Sequence, residues 1–316
     1  MSEELSAVSF AERAYLEPLR KLQNADGGWG FNAGYVSRVE PTAWALLALR
    51  ELSLSDSTDT VIERGRQYLG SAQLPDGSWP SAPEQTTGSW VTSLACWALL
   101  AMAHPADKIR SGLQWLINDR PRDSGFIWRL ARKIRERKVL NDQSADYTGW
   151  SWTPNTASWV EPTSYALMVQ RSRLGASLPD SAKRCELAES LLYDRMCPGG
   201  GWNCGNPRVY GVAGQPQVGP TVWALIALRQ YPERAENRAS LEWLESIQTT
   251  IHSPESLALT QLALNAYGRS TEAVLAGLSH LQEAPPLPWS VPALSWAVLG
   301  QSQSSHWLNI ASSPIS

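Results

Sequence analysis

Two glutamates, Glu40 and Glu161, stand in the same setting: Glu-Pro-Thr at the start of a segment rich in Ala and Leu. Ser, Thr, Asp or Asn would cap a helix better, so a glutamate used twice marks a candidate catalytic pair. The chemistry would be proton donation, which requires the acid to be protonated at working pH. A helix dipole opposes that by favouring the anion, and only burial in an apolar wall reverses it. The same dipole supplies the alternative, an anion at rest on a helix start with no other duty.

Ahead of Glu161 lies an aromatic stretch, Asp146-Tyr-Thr-Gly-Trp-Ser-Trp-Thr-Pro-Asn-Thr-Ala-Ser-Trp-Val-Glu161. Indole faces steady cations, stack on sugars and wall isoprenoid chains. Tyr147, Trp150, Trp152 and Trp159 are therefore expected to line a ligand, together with Trp90 and Trp202. The competing role is packing at the rim of the fold. Asn203 and Tyr210, in a Gly-rich loop, are expected to add polar contacts, unless the Asn is spent within its own loop.

These residues sit on a repeat. Glu40-Pro-Thr-Ala-Trp-Ala-Leu-Leu-Ala-Leu49 is copied in Gly219-Pro-Thr-Val-Trp-Ala-Leu-Ile-Ala-Leu228 and in Glu161-Pro-Thr-Ser-Tyr-Ala-Leu-Met168. Trp97-Ala-Leu-Leu-Ala-Met102 repeats the core, and segments starting near Ser253 and Pro292 are weaker echoes. All six are too apolar for surface helices and too short to span a bilayer, so they are expected as buried helices. Pro41, Pro162, Pro220, Pro254 and Pro292 suit a first helical turn.

Before each buried segment comes an amphipathic one, at about 9–23, 59–73, 106–118, 179–195, 234–248 and 270–282. Six half-exposed helices alternating with six buried ones predict an all-α fold, an (α/α)6 toroid with an inner and an outer ring. The loops between them carry Gln23-Asn-Ala-Asp-Gly-Gly-Trp29, Gln73-Leu-Pro-Asp-Gly-Ser-Trp79 and Cys197-Pro-Gly-Gly-Gly-Trp202. Gly stops the helix, Trp packs back over its end, and Gln satisfies stray backbone groups. Residues 1–316 are read as one domain.

Composition narrows the function. A net charge of −3 argues against a nucleic-acid partner, and 43% hydrophobic residues are ample for a core. Cys96, Cys185, Cys197 and Cys204 show neither CxxC pairing nor scaffold density, and Met1-Ser2-Glu3-Glu4 lacks a secretory start. A soluble, cytoplasmic, reduced protein is expected. Sixteen Trp against three Phe point again to repeated use of indole.

One insertion breaks the pattern. Arg120 to Lys138 holds eight basic and two acidic residues, a local +6. Over 124–140, Ile127 falls on an apolar helical stripe while Arg132 and Lys133 lie largely off it. A basic amphipathic helix predicts peripheral contact with a membrane, through Phe126, Ile127, Trp128, Arg132 and Lys133, or docking to an acidic partner. An ordinary solvated helix is the alternative.

Arg64-Gly-Arg-Gln-Tyr-Leu-Gly-Ser-Ala-Gln-Leu-Pro-Asp-Gly-Ser-Trp79 resembles the QW repeat of squalene–hopene and oxidosqualene cyclases, and Lys21 to Gly30 is a truncated second copy. The resemblance covers about residues 9–300 and implies the α/α toroid of terpenoid cyclases and protein prenyltransferase β-subunits. It says less about activity, because QW residues are structural braces. Class II cyclases protonate substrate with DxDD. Alignment there puts Glu40 at the middle acid, with Arg38 and Pro41 as neighbours; Trp159 and Pro162 flank Glu161. No DxDD, DDxxD or prenyltransferase-type DxC occurs, and His104, His252, His280 and His306 lie apart from the cysteines. Gly201-Trp-Asn-Cys-Gly-Asn-Pro207 is similar to a zinc loop of lanthipeptide cyclases but lacks its Cys–His partner, so no metal and no cofactor are expected.

Three function classes follow. The first is a terpenoid-cyclase-like protein holding an isoprenoid or similar apolar ligand in a Trp-lined centre, with acid-initiated cyclisation or isomerisation if it is an enzyme. The second is a non-catalytic module for lipid or peptide. The third is a carbohydrate-active (α/α)6 enzyme with two carboxylates across the pocket.

Overall fold

The computed structural model describes residues 12–52, 59–102, 104–125, 127, 130, 143–283, 289–302 and 306–309. A π-helical turn, Glu12–Leu16, runs into α1 (Glu17–Lys21), followed by α2 (Val39–Leu52), α3 (Thr60–Ser71), α4 (Val91–Ala101), α5 (Ala106–Asn118) and α6 (Val160–Gln170). A short α7 (Arg173–Ala176) precedes α8 (Ser181–Asp194), α9 (Val218–Ala227), α10 (Ala235–Ile247), α11 (Pro254–Ala266), α12 (Glu272–Glu283) and α13 (Val291–Gln301). The strands are two-residue pieces, β1 (Arg208–Val209) and β2 (Val212–Ala213), paired as an antiparallel hairpin.

Burial separates two rings. In α4 every residue from Val91 to Leu100 is buried, and in α6 every residue but Glu161. By contrast α5 buries only Ile109, Gly112, Leu113, Leu116 and Ile117, one helical face. Inner helices α2, α4, α6, α9, α11 and α13 pack each on the next, and α13 returns to α2, which closes the ring. A backbone bond seals the join: the Val291 amide donates to the Phe31 carbonyl at 2.8 Å. The all-α toroid is therefore the fold.

One device, repeated four times, sets each inner helix against the preceding outer one. The indole N–H of Trp29, Trp79, Trp150 and Trp202 donates to the carbonyl of Leu19, Leu69, Leu116 and Leu192, at 2.8, 2.7, 2.7 and 2.5 Å. Each acceptor lies in the last turn of an outer helix, where carbonyls lack helical partners. The amide of the same Trp donates to Thr42, Thr92, Thr163 or Thr221 on the inner helix at 2.8–3.0 Å. Gln23 and Gln73 complete the first two copies by donating to Gly27 and Gly77 carbonyls and to the neighbouring outer helix. Gly27, at φ +90°, lies so close to α3 that a Cβ would stand 2.6 Å from the Arg64 carbonyl oxygen.

The far end of the ring is closed by the chain itself. Glu51, at the end of α2, is buried, and its carboxylate accepts from the Ser302 hydroxyl at 2.6 Å and the His306 and Trp307 amides at 2.9 and 2.8 Å. That clasp holds Trp307 inside, stacked on Trp97 at 5.4 Å.

Candidate functional site

The Thr–Trp braces put four inner helices in register. Two residues before each Thr come Glu40, Trp90, Glu161 and Gly219, a first layer at the amino-terminal mouth. Four residues further on stand Trp44, Leu94, Tyr165 and Trp223, and three beyond those Leu47, Trp97, Met168 and Ile226. Spacings of four and seven keep the three layers on one helical face.

Glu40 and Glu161 are not caps. Helix α2 begins at Val39, and Trp159 is the cap of α6, so each acid is the second helical residue. Their helices flank α4 in the inner ring, with Trp90 at the matching position between them. Among the described residues neither carboxyl has a hydrogen-bond or ion-pair partner. Burial lifts Glu40 to about 7, with repulsion from Glu161 as a second cause, and burial alone lifts Glu161 to about 7. Desolvation thus outweighs the helix dipole. Tyr165 lies within reach of both: burial, then Glu161, then Glu40 push its hydroxyl well above its ordinary range. Gly219 leaves room on the other side, where a Cβ would stand 3.4 Å from Glu161 Oε1.

Beneath the acids the ring is filled, not open. Trp44 meets Trp223 at 4.9 Å, Trp97 at 5.6 Å, Trp296 at 5.8 Å and Tyr165 at 6.0 Å between ring centroids. With these contacts five inner helices contribute a ring to one aromatic floor. The indole N–H groups of Trp44 and Trp296 are buried without an acceptor among the described residues. The expected Trp-lined centre is therefore a packed aromatic floor beneath the two acids. Trp44, Tyr165, Trp223 and Trp296 escaped the sequence reading as site residues. For Trp44, Tyr165 and Trp223 the signal was present at the aromatic position of the Pro-Thr-x-Trp/Tyr repeat, and for Trp296 in Pro292-Ala-Leu-Ser-Trp296, but a buried apolar helix gives no cue as to which face meets the centre of the ring.

The aromatic candidates divide. Trp90 and Trp152 meet edge to face at 4.8 Å, and Trp90 stacks on Tyr165 at 5.4 Å, so both join the wall beside the acids. Trp159 is half-buried, and its amide donates to the Trp150 carbonyl at 3.0 Å. Trp150 and Trp202 take the alternative role of packing: both are fully buried braces whose indole N–H holds an outer helix. Asn203 is spent locally, accepting from the Gly205 and Asn206 amides and donating to the Asn206 carbonyl. Tyr147 is exposed in the loop before α6, and Tyr210 is exposed at the β1–β2 turn; neither makes a ring contact among the described residues.

The connections from outer to inner helix carry exposed apolar side chains. Tyr35, Val36, Ile127, Leu130, Tyr147, and the hairpin's Val209, Tyr210 and Val212 are all exposed there. Phe126, Trp128, Arg132 and Lys133, expected at a membrane, lie outside the described residues. Among the described residues no helix is long and apolar enough to cross a membrane.

No protein-family model matches the chain. A drimenyl diphosphate synthase from Streptantibioticus cattleyicolor is 37% identical over 79 residues, 25% of this chain and 14% of that protein's length. Among solved structures, a substituted form of the type II terpene cyclase MstE from Scytonema, in complex with geranylgeranyl dihydroxybenzoate, superposes with a TM-score of 0.62 at 13% identity, covering 97% of this chain and 100% of that one. MstE without ligand gives 0.59 at 12% identity over 96% and 99%. A glycosidase variant gives 0.58 at 12% identity over 98% and 99%. These likenesses define a terpenoid-cyclase-like fold, the all-α toroid, which glycosidases also use. Residues set into such a fold, not the fold, decide the reaction.

Proposed function

We propose that the amino-terminal mouth of the ring binds an apolar, isoprenoid-like ligand and that Glu40 and Glu161 catalyse its acid-initiated cyclisation or isomerisation. With both carboxyls lifted to about 7, one holds a proton at neutral pH while its neighbour is ionised. The protonated acid adds its proton to an alkene carbon, leaving a carbocation. The ionised partner removes a proton from a neighbouring carbon, so a new double bond forms and the pair returns to its starting charge. In between, the faces of Trp90 and Tyr165 supply the negative quadrupole that steadies a cation without reacting as a base.

The observation that carries this reading is the pair itself: two acids without counter-ions, above a floor of aromatic rings. The test is incubation with unsaturated isoprenoids of increasing chain length, and mass spectrometry of whatever co-purifies. Product formation by the native protein that falls at least a hundredfold in both Glu40→Gln and Glu161→Gln supports it. Undiminished turnover in both variants refutes acid catalysis by this pair; a bound sugar, or hydrolysis of a glycoside, supports the carbohydrate reading instead.

Exposed apolar side chains in the connections from outer to inner helix fit the same function, since a greasy substrate reaches the mouth most directly from a lipid surface. Flotation with liposomes containing anionic lipid tests this. Replacing Tyr35, Val36, Tyr210 and Val212 by Ser is expected to abolish flotation, and unchanged flotation rejects the contact.

A further inference from the structure

At the carboxy-terminal ends of the inner helices, beyond the aromatic floor, lies a second hollow that the mouth chemistry does not use. Its volume is about 530 Å³, inside the range of roughly 300–1,000 Å³ typical of small-molecule sites. Trp97, Met168 and Leu308 give it apolar walls, and Arg171, Arg229 and Gln230 face it as well. Ala227, which also lines it, lies eight residues along α9 from Gly219, so the hollow and the acid layer are roughly 12 Å apart on the helix axis.

The two arginines differ in what they already hold. Arg171 donates to the Ala227 carbonyl at 2.5 Å and pairs with Glu189, whose second oxygen accepts from the Tyr231 hydroxyl at 2.7 Å. That is an ordinary use of a cation at helix carboxy-termini. Arg229 is half-buried and donates through Nη2 to the Leu308 carbonyl. No carboxylate among the described residues pairs with it. Burial, and then the charge of Arg171, push its pKa down. A guanidinium has five N–H donors, and the Leu308 carbonyl is the one acceptor this guanidinium meets among the described residues. Two neighbouring cations, one of them short of a counter-ion and flanked by apolar walls, make a place where an anion relieves an existing cost.

We infer that this hollow is a second ligand site for an amphipathic anion, a carboxylate or phosphate monoester on a short apolar chain. Arg229 holds the head, by the two-pronged geometry a guanidinium offers to such groups, and the chain lies against Trp97, Met168 and Leu308. The inference is independent of the chemistry at the mouth.

The experiment is calorimetric titration of the full chain with decanoate, decyl phosphate and decanol, each below its micelle concentration. The expected result is that both anions bind and decanol binds at least tenfold more weakly. Arg229→Gln removes that preference, since a charge-assisted hydrogen bond of about 1.5–3 kcal/mol corresponds to about tenfold or more in affinity. Gln230→Glu, an exposed position, places a competing carboxylate beside Arg229 and is expected to weaken both anions similarly. If Arg229→Gln fails to fold for loss of the Leu308 contact, Gln230→Glu decides alone. The Glu40→Gln/Glu161→Gln double variant is expected to bind all three probes as the native protein does, which separates this site from the mouth. The tighter of the two anions identifies the head group. Equal binding of decanol and decanoate, or anion binding untouched by the variants at 229 and 230, overturns the inference.

Discussion

Glu40 and Glu161 occupy the same position of two repeats, on inner helices that stand either side of α4, and the charge of Glu161 raises the pKa of Glu40. Neither has a basic partner among the described residues.

The first consequence is a stability that depends on pH. Both carboxyls rise from an ordinary 4.5 to about 7 on folding, so between those values the native state binds more protons than the unfolded chain. Stability is therefore greatest below about 4.5 as far as these groups are concerned. It falls as pH rises through the window and levels off above 7. The loss is on the order of 2 kcal/mol per carboxyl, after allowance for partial exposure. Chemical denaturation at pH 5 and pH 8 measures it, and the double Gln variant is expected to flatten the difference.

Activity should follow the same pair. A mechanism that needs one acid and one base gives a bell-shaped pH profile centred near 7. Either single Gln variant is expected to lose turnover while keeping ligand affinity within a fewfold. A profile that rises steadily with pH would point to a different proton donor.

Gly219 limits what can stand beside Glu161. Its replacement by Leu is expected to fill the space next to Oε1 and to lower ligand affinity at least tenfold, with little change in melting temperature. Affinity titration together with thermal unfolding reads both; a large loss of stability with normal affinity would show that the position serves packing.

The braces can be told from the wall by substitution. Trp150→Phe removes the bond to the Leu116 carbonyl and should cost about 1–3 kcal/mol, the desolvation of an orphaned buried carbonyl, while ligand binding is unchanged. Trp90→Ala should do the reverse, lowering affinity more than stability. Parallel denaturation and binding curves for the two variants make the comparison.

Glu51 offers a separate check on closure. Its replacement by Ala removes the acceptor that the Ser302 hydroxyl and the His306 and Trp307 amides share, at an expected cost of roughly 2–4 kcal/mol. Trp307 should then become accessible to quencher, and the segment after α13 to protease.

Most of the ring was written plainly in the chain. Alternation of amphipathic and wholly apolar helices follows from a 3.6-residue period, and the Gly–Trp loops mark where each outer helix stops. Glu40 and Glu161 stood out because a glutamate is a poor cap. The roles of individual indoles were not legible. Trp150 and Trp202 brace, and Trp44 and Trp223 form a floor, yet all four sit in short Gly- or Pro-marked motifs of similar look. Which way a ring turns depends on partners two helices away. The Glu51 clasp was hidden for the same reason, since its partners lie some 250 residues later.

The most direct measurement is the titration of the two carboxyl carbons by NMR, in the native protein and in each single Gln variant. Midpoints near 7 are expected for both, with that of Glu40 falling when Glu161 becomes neutral. Midpoints near 4.5, unmoved by substitution of the partner, would contradict the proposed acid pair.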